Sequence, residues 1–203
     1  TVAQDTPRNL FGFKDGTANV KAEEADALDE HVWVSAADDP AAAWLAGGSY
    51  LVARRIAMTI EVWDRQPLGD QERFIGRTKA SGAPLSGGGE LDEPDFAMPG
   101  RDGPVIPVDS HVAVVHPSNN DGIRMLRRGY NFVDGSNAVG GLDAGLFFVA
   151  FVRDPVRQFV PVQNAMARSD TLMEYLRFTS SALFACPPGV RGGDDFFGSA
   201  LFA

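Results

Sequence analysis

The 203-residue sequence predicts an α+β sandwich, with helices on one face of a mostly antiparallel sheet. Three observations carry this. A long stretch from Tyr50 alternates with a period of two. Two further strand-like runs follow, separated by turn residues. Helical segments fall between the first strand and this pair, and again after it. Among simple arrangements, a ferredoxin-like unit matches that order best.

The elements read as follows. Residues 1–20 are polar and turn-rich around Gly12-Phe13-Lys14-Asp15-Gly16, and residues 21–47 are acidic and Ala-rich, predicting short helix and loop. From Tyr50 to Asp64, Tyr50, Val52, Arg54, Ile56, Met58, Ile60 and Val62 alternate with the residues between them, predicting a strand. Pro67 to Lys79 predicts a helix. Residues 80–107 hold six Gly and five Pro in 28 positions, which forces a long irregular excursion. Strands are expected over Ile123–Phe132 and Leu146–Arg153, with Asp134-Gly135 supplying the turn. Asp154-Pro155 has the chemistry of a helix start, and Pro161 is expected to break or kink that helix. Thr171 to Phe178 predicts a second short helix, with Thr171 and Glu174 spaced as a capping box.

Composition excludes several classes. Lys plus Arg number 18 against 27 for Asp plus Glu, a formal charge of −9, which argues against nucleic acid or an anionic membrane as partner. No apolar run is long enough for a transmembrane helix. The single cysteine, Cys186, excludes an internal disulfide, a multi-thiolate zinc cluster and a covalent C-x-x-C-H haem attachment. Thr1 is not an initiator Met and no leader pattern follows it, so the chain is expected to be processed, trimmed or a fragment.

Few residues carry chemistry on their own. His31, His111 and His116 are the histidines; the spacing of the last two fits neither a helical metal pair nor one strand face. A single proximal donor suffices for haem iron, so one His remains a candidate ligand, as does the Cys186 thiolate. Asp15 lies in an Asp-Gly turn. On the predicted strand, alternation places Arg127 with Ile123 and Met125, and Arg128 with Leu126 and Tyr130. One arginine must therefore point into apolar surroundings and find an anion or ligand there, unless it lies along a sheet edge with its head in water.

Read together, these segments carry a resemblance. Asn9-Leu10-Phe11-Gly12-Phe13-Lys14-Asp15-Gly16-Thr17 matches a G-x-x-D-G signature. Gly48-Ser49-Tyr50, Trp63-Asp64, Ile75-Gly76-Arg77-x-Lys79, Asp109-Ser110-His111, Met125-Leu126-Arg127-Arg128-Gly129-Tyr130 and Phe197-Gly198-Ser199-Ala200-Leu201 follow in order. This pattern resembles the dye-decolourising peroxidases, in particular the deferrochelatase/peroxidase-type subfamily, over the C-terminal half of a family about twice this length.

The resemblance implies a ferredoxin-like fold of the dimeric α/β-barrel-like superfamily, with residues 1–203 forming one haem-binding domain and residues 80–107 its long loop. It implies non-covalent haem b, with hydrogen peroxide reduced and dyes or other organic donors oxidised through a ferryl intermediate. By the same resemblance His111 is the iron ligand and Glu174 the acid behind it. Asp15, Arg127 and Asn19 are the distal catalytic groups, with Asp15 moving the peroxide proton, Arg127 stabilising charge and Asn19 holding water. Arg77 is a haem-propionate contact. Leu146 and Phe148, which share one face of the predicted strand, are expected to line the distal pocket and keep it dry. Electrons from bulky donors would hop through aromatics such as Trp33, Trp63, Tyr130 or Tyr175. Two alternatives accompany this reading: deferrochelatase-type release of iron from haem, and a non-enzymatic haem-binding half-domain. A missing N-terminal half or a homo-oligomer is the implied protein partner, and twin-arginine export to the periplasm or exterior the implied localisation.

Overall fold

The structure, a computed structural model, describes residues 6–193 and 195–202. Thr1, on which the reading of the chain's start rests, lies outside them. Four antiparallel strands form one sheet: β1 (Ser49–Met58), β2 (Leu126–Ser136), β3 (Leu142–Val152) and β4 (Leu176–Cys186), in the spatial order β2-β3-β1-β4. Five α-helices accompany them: α1 (Ala25–His31), α2 (Ile60–Trp63), α3 (Leu68–Ile75), α4 (His111–Val115) and α5 (Phe159–Ser169). Helical segments join β1 to β2 and β3 to β4, and β2 and β3 form a hairpin. The predicted ferredoxin-like α+β fold is therefore present.

Register assigns the two sheet faces. Arg54 lies opposite Phe148, Ile56 opposite Leu146 and Arg127 opposite Ala150, which puts Arg54, Ile56, Arg127, Leu146, Phe148 and Ala150 on one face. Helices α4 and α5 lie over that face. The opposite face carries Leu51, Arg55, Tyr130, Phe147, Phe151 and Phe184, of which Tyr130, Phe147 and Phe184 are exposed.

Several expectations need correction. The alternating stretch ends at Met58, and Ile60–Trp63 turns helical so that Trp63 enters the core rather than continuing a strand. The α3 helix is shorter than expected, stopping where Gly76 adopts φ 91°. Asp134-Gly135 lies within β2, beside a register shift. The hairpin turns instead at 137–141, where the Asn137 amide donates to the Gly141 carbonyl at 2.8 Å. Asp154 caps a turn through Val156 and Arg157, and α5 begins only at Phe159. Pro161 does not break α5, because it sits in the first turn, where a missing N–H leaves no helical bond unmade. Thr171–Tyr175 is a single 3-10 turn, and the chain then enters β4, a strand the sequence reading did not identify.

One hydrophobic cluster anchors the site. Phe11, Phe13, Met58, Trp63, Ile75, Leu172 and Tyr175 pack together, with Phe11 and Trp63 stacked at 4.3 Å and Trp63 edge-on to Tyr175 at 5.1 Å. The Trp63 indole N–H donates to the Phe11 carbonyl at 3.2 Å, so the N-terminal loop is fastened to the core by packing and by a buried hydrogen bond.

Candidate haem site

Between the sheet and helices α4 and α5 lies a cavity of about 240 Å3. Its wall is apolar where Phe13, Ile56, Met58, Leu146, Phe148, Phe159, Val162, Met166 and Leu172 contribute. Its charged groups are almost all cationic. Lys14, Arg54, Arg77, Arg124 and Arg127 line it together with His111 and His116, while Asp15 is the only carboxylate among the lining residues. In a chain of formal charge −9, this is a concentrated reversal of sign.

The G-x-x-D-G segment reaches the cavity because its aromatics are buried. Phe11 and Phe13 are 1% and 2% exposed, and the carboxamide oxygen of Asn9 accepts from both of their amides at 3.1 and 3.3 Å. Gly12 has φ 85°, a left-handed turn that favours glycine, and the end of the Lys79 side chain lies against it. The Asp15 amide donates to the Pro7 carbonyl at 2.9 Å, which holds the carboxylate at the cavity wall.

Asp15 is close to Gly129: a Cβ built on that glycine would lie 3.5 Å from Asp15 Oδ2 and 3.0 Å from the Leu146 side chain. Gly129 and Arg127 share a face of β2, and Asp15 and Arg127 both line the cavity. Among the described residues, the Arg127 guanidinium makes no hydrogen bond or ion pair. Arg128 points the other way and is exposed. Leu146 and Phe148 line the cavity from β3, as expected.

Asn19, expected among the distal groups, has its carboxamide on the Arg127 backbone. Its carboxamide oxygen accepts from the Arg127 amide at 2.8 Å and its NH2 donates to the Arg127 carbonyl at 2.9 Å. It is not among the cavity-lining residues. Because β2 is an edge strand, Asn19 satisfies its free backbone groups at Arg127.

Across the cavity, His111 is the first residue of α4, and Ser110 caps that helix by accepting from the Ala113 amide at 3.4 Å. Its Nδ1 lies 2.7 Å from Asp170 Oδ2, and the Asp170 side chain is fully buried. Glu174, expected to be the acid behind the histidine, is exposed and not in contact with it. Nor does Glu174 form a capping box: Asp170 is the N-cap, its Oδ1 accepting from the Leu172 amide at 2.9 Å. Thr171 instead ties its amide and hydroxyl to the Asp109 carbonyl at 3.0 and 2.9 Å, which fixes the segment carrying Asp170 against the one carrying His111.

His116 also touches the cavity, but both ring nitrogens are committed, Nδ1 to the Ser118 hydroxyl at 2.8 Å and Nε2 to Glu93 at 3.1 Å. Among the described residues, nothing engages His111 Nε2. Cys186 is half-buried at the far end of β4, outside the cavity, and burial pushes its thiol up, away from the thiolate an iron ligand requires.

Arg77 lines the cavity, but its role differs in part from the expected propionate contact. Its Nη1 donates to the Gly82 and Glu90 carbonyls, both at 2.8 Å, so it clamps the start of the long loop. The sequence reading missed Arg54. Its guanidinium stacks 3.9 Å over Phe178, donates to the Ser181 hydroxyl at 2.7 Å and bonds Gln163, with no carboxylate partner among the described residues. The signal was present, since alternation places Arg54 on the same apolar face as Ile56 and Met58.

Among the described residues, no group of three or more His, Cys, Asp or Glu side chains could hold a bare metal ion. One histidine with a free Nε2 and a buried carboxylate behind it instead suits a metal that brings its own equatorial donors. The surrounding apolar walls and excess cations suit a flat apolar group with anionic arms.

Comparison with known proteins agrees. The profile of the family Dyp-type peroxidase, C-terminal, matches residues 6–191. The deferrochelatase of Escherichia coli strain K12 is 41% identical over 200 residues, covering 98% of this chain and 47% of that protein. The dye-decolorizing peroxidase of Thermobifida fusca is 44% identical over 189 residues, covering 92% of this chain and 44% of that protein. Among solved structures, DtpA from Streptomyces lividans, determined as an oxyferrous complex, superposes with a TM-score of 0.91 at 41% identity, covering 100% of this chain and 55% of that one. The chain spans about half the length of the curated relatives it matches. It belongs to the Dyp-type peroxidase family, and it corresponds to the family's C-terminal part.

Proposed function

We propose that this chain is the haem-bearing half of a dye-decolourising peroxidase, binding haem b non-covalently and reducing hydrogen peroxide at the expense of organic donors. The observation that carries the reading is the pairing within one cavity of His111, backed by buried Asp170, with Asp15 and an uncommitted Arg127. Haem, when bound, supplies the iron that takes electrons from the donor and passes them to peroxide.

The protein's own residues divide the remaining work. His111 would hold the iron through Nε2, while Asp170 accepts from Nδ1–H and so fixes the tautomer and orientation of the ring. Arg54 and the other wall cations suit the carboxylate arms of the porphyrin. Asp15 would accept a proton from hydrogen peroxide and return it to the oxygen that leaves as water, directly or through a bridging water. Arg127 would stabilise negative charge on the separating oxygens. Leu146 and Phe148 exclude water around them. Trp63 and Tyr175, proposed as electron relays, are buried side by side, whereas Trp33 and Tyr130 are exposed.

The exposed aromatics on the opposite sheet face, Tyr130, Phe147 and Phe184, support a covering partner there, either a second half of the same protein or another copy of this chain. No helix among the described residues is long and apolar enough to cross a membrane.

The test is an absorption spectrum of the chain titrated with haem, before and after peroxide. A Soret band that changes on peroxide addition and returns as an organic dye is bleached supports the proposal. Haem binding with no response to peroxide would leave a carrier, which has no need of Asp15 and Arg127. The Escherichia coli relative is named for chelatase activity; iron-free porphyrin as the product would favour that reaction here.

A further inference from the structure

The long loop that follows α3 is fastened to the distal motif through one side chain. Glu90 forms an ion pair with the Lys14 ammonium, and its other carboxylate oxygen accepts from the Thr17 hydroxyl at 3.4 Å. These partners flank Asp15, one residue before it and two after. The backbone carbonyl of the same Glu90 takes Arg77 Nη1 at 2.8 Å. The stem of Lys14 passes over Gly82, where a Cβ would lie 2.8 Å from Lys14 Cδ and 3.4 Å from Glu90 Cγ. Gly82, at φ 81°, leaves room for both side chains to lie over the loop.

We propose, building on the haem-peroxidase reading, that Glu90 is a positioning residue for Asp15. It grips the G-x-x-D-G segment on both sides of the acid and balances the Lys14 charge beside it. The geometry explains an otherwise odd arrangement. A lysine next to Asp15, left unpaired, would draw that carboxylate toward itself and out of the cavity. Glu90 occupies that lysine instead. Consistent with this, Lys14, followed by Thr6 and Thr17, holds the Glu90 carboxyl below its ordinary value. The other charged groups facing the cavity that contains Asp15 are Arg54 from β1, Arg77 after α3, His111 from α4, His116 at its end, and Arg124 and Arg127 at the start of β2. All are cations or histidines. Glu90 is therefore the negative charge that offsets Lys14 without competing for the cavity.

Cyanide association with the ferric haem-loaded chain, followed across pH, provides the test, because hydrogen cyanide must give up a proton as it binds and so reports the distal acceptor without turnover. Glu90→Gln removes a negative charge and frees Lys14, so the acid limb of the profile should move to lower pH by roughly half a unit or more. Lys14→Met should move it to higher pH. The double variant should return near the wild-type profile, and Glu90→Asp, which keeps the charge, should stay close to it. Shifts of the same sign in both single variants, or none, would overturn the proposal. A second measurement needs no haem: amide hydrogen exchange should quicken at residues 13–18 as well as at 80–95 in Glu90→Gln. Quickening confined to 80–95 would make Glu90 a loop anchor only. Failure of the chain to take up haem would count against the haem reading, and the exchange arm would still decide this one.

Discussion

His111 and Asp170 are joined across 59 positions of sequence by a 2.7 Å contact, and the same carboxylate caps the turn that follows it. Oδ2 faces the imidazole while Oδ1 takes the Leu172 amide, so both oxygens of a fully buried acid are satisfied. Two tasks expected of Glu174 are thereby performed by one residue four positions earlier. Asp170→Asn should preserve the cap, because its carboxamide oxygen can still accept from Leu172. It places an amide where Nδ1–H needs an acceptor, so less electron density reaches a bound iron and the Fe(III)/Fe(II) potential should rise by tens of millivolts, on a scale of about 59 mV per tenfold for one electron. Glu174→Gln should leave the potential unchanged. Spectroelectrochemical titration of the two variants checks both, and equal potentials in Asp170→Asn and wild type would remove Asp170 from the proximal side.

The two histidines at the cavity should separate cleanly. His111→Ala removes the donor whose Nε2 is uncommitted and should abolish most of the Soret intensity. His116→Ala breaks bonds to Ser118 and Glu93 and should leave the spectrum nearly unchanged. Cys186→Ser should do the same, since that thiol lies outside the cavity. A haem titration of the three variants would reverse the assignment if His116→Ala were the one to lose the band.

Legibility in the sequence followed the range of the interactions. The β1 alternation and the placing of Arg127 beside Met125 and Ile123 rest on a local period of two, and all three residues do line the cavity. Elements whose identity depends on partners distant in sequence were lost. The β4 segment has Thr179, Ser180 and Ser181 at its centre and no clean alternation; it is a strand because β1 pairs with it along its length. Glu174 satisfied a local capping pattern, yet Asp170 won the N-cap because Asp109, far upstream, engages Thr171. Asn19 lies next to Arg127 only once β2 has become an edge strand, which no spacing rule announces. Arg54 was legible by the argument used for Arg127.

Distal chemistry should respond without loss of haem. Arg127→Leu should retain the Soret band and slow the reaction with peroxide by roughly 10²-fold or more, the scale of one lost electrostatic stabiliser. Asp15→Asn removes the proton acceptor and should slow the same step, with a loss that shrinks as external buffer concentration rises. Stopped-flow traces matching wild type in both variants would reduce G-x-x-D-G to a turn.

The Glu90 tether carries a pH signature of its own. Its carboxyl is held below its ordinary 4.5, mainly by Lys14, so its stabilising contribution is fully present above that value and is lost as pH falls through the lower folded-state value. The loop should therefore become a better pepsin substrate below about pH 4.5, cut first around Leu85, Leu91 or Phe96, before β-sheet circular dichroism changes. Rates are taken relative to pepsin cleavage of an unfolded substrate at the same pH, and on that scale Glu90→Gln, lacking the titration, should vary little. A wild-type loop whose relative rate is the same at pH 3 and pH 5 would contradict this assignment.

Asn19 provides a sharper separation of two roles. If it held a distal water directly, its loss and that of Arg127 would act on different parts of the reaction and their effects would multiply. The structure instead has both ends of its carboxamide on the Arg127 backbone, at 2.8 and 2.9 Å, in the manner of a neighbouring strand. Asn19→Ala leaves a part-buried N–H and C=O without these partners, which should destabilise the haem-free chain by about 1–3 kcal/mol in urea denaturation. It should also slow peroxide reaction, because the guanidinium is no longer held in line. Asn19→Asp should do worse, since a carboxylate oxygen would replace the NH2 group against the Arg127 carbonyl. The deciding measurement is the double variant: in an Arg127→Leu background, Asn19→Ala should add little further loss of rate, because it acts only through the side chain already removed. Rate losses that multiply would return Asn19 to the cavity as a water-holding group.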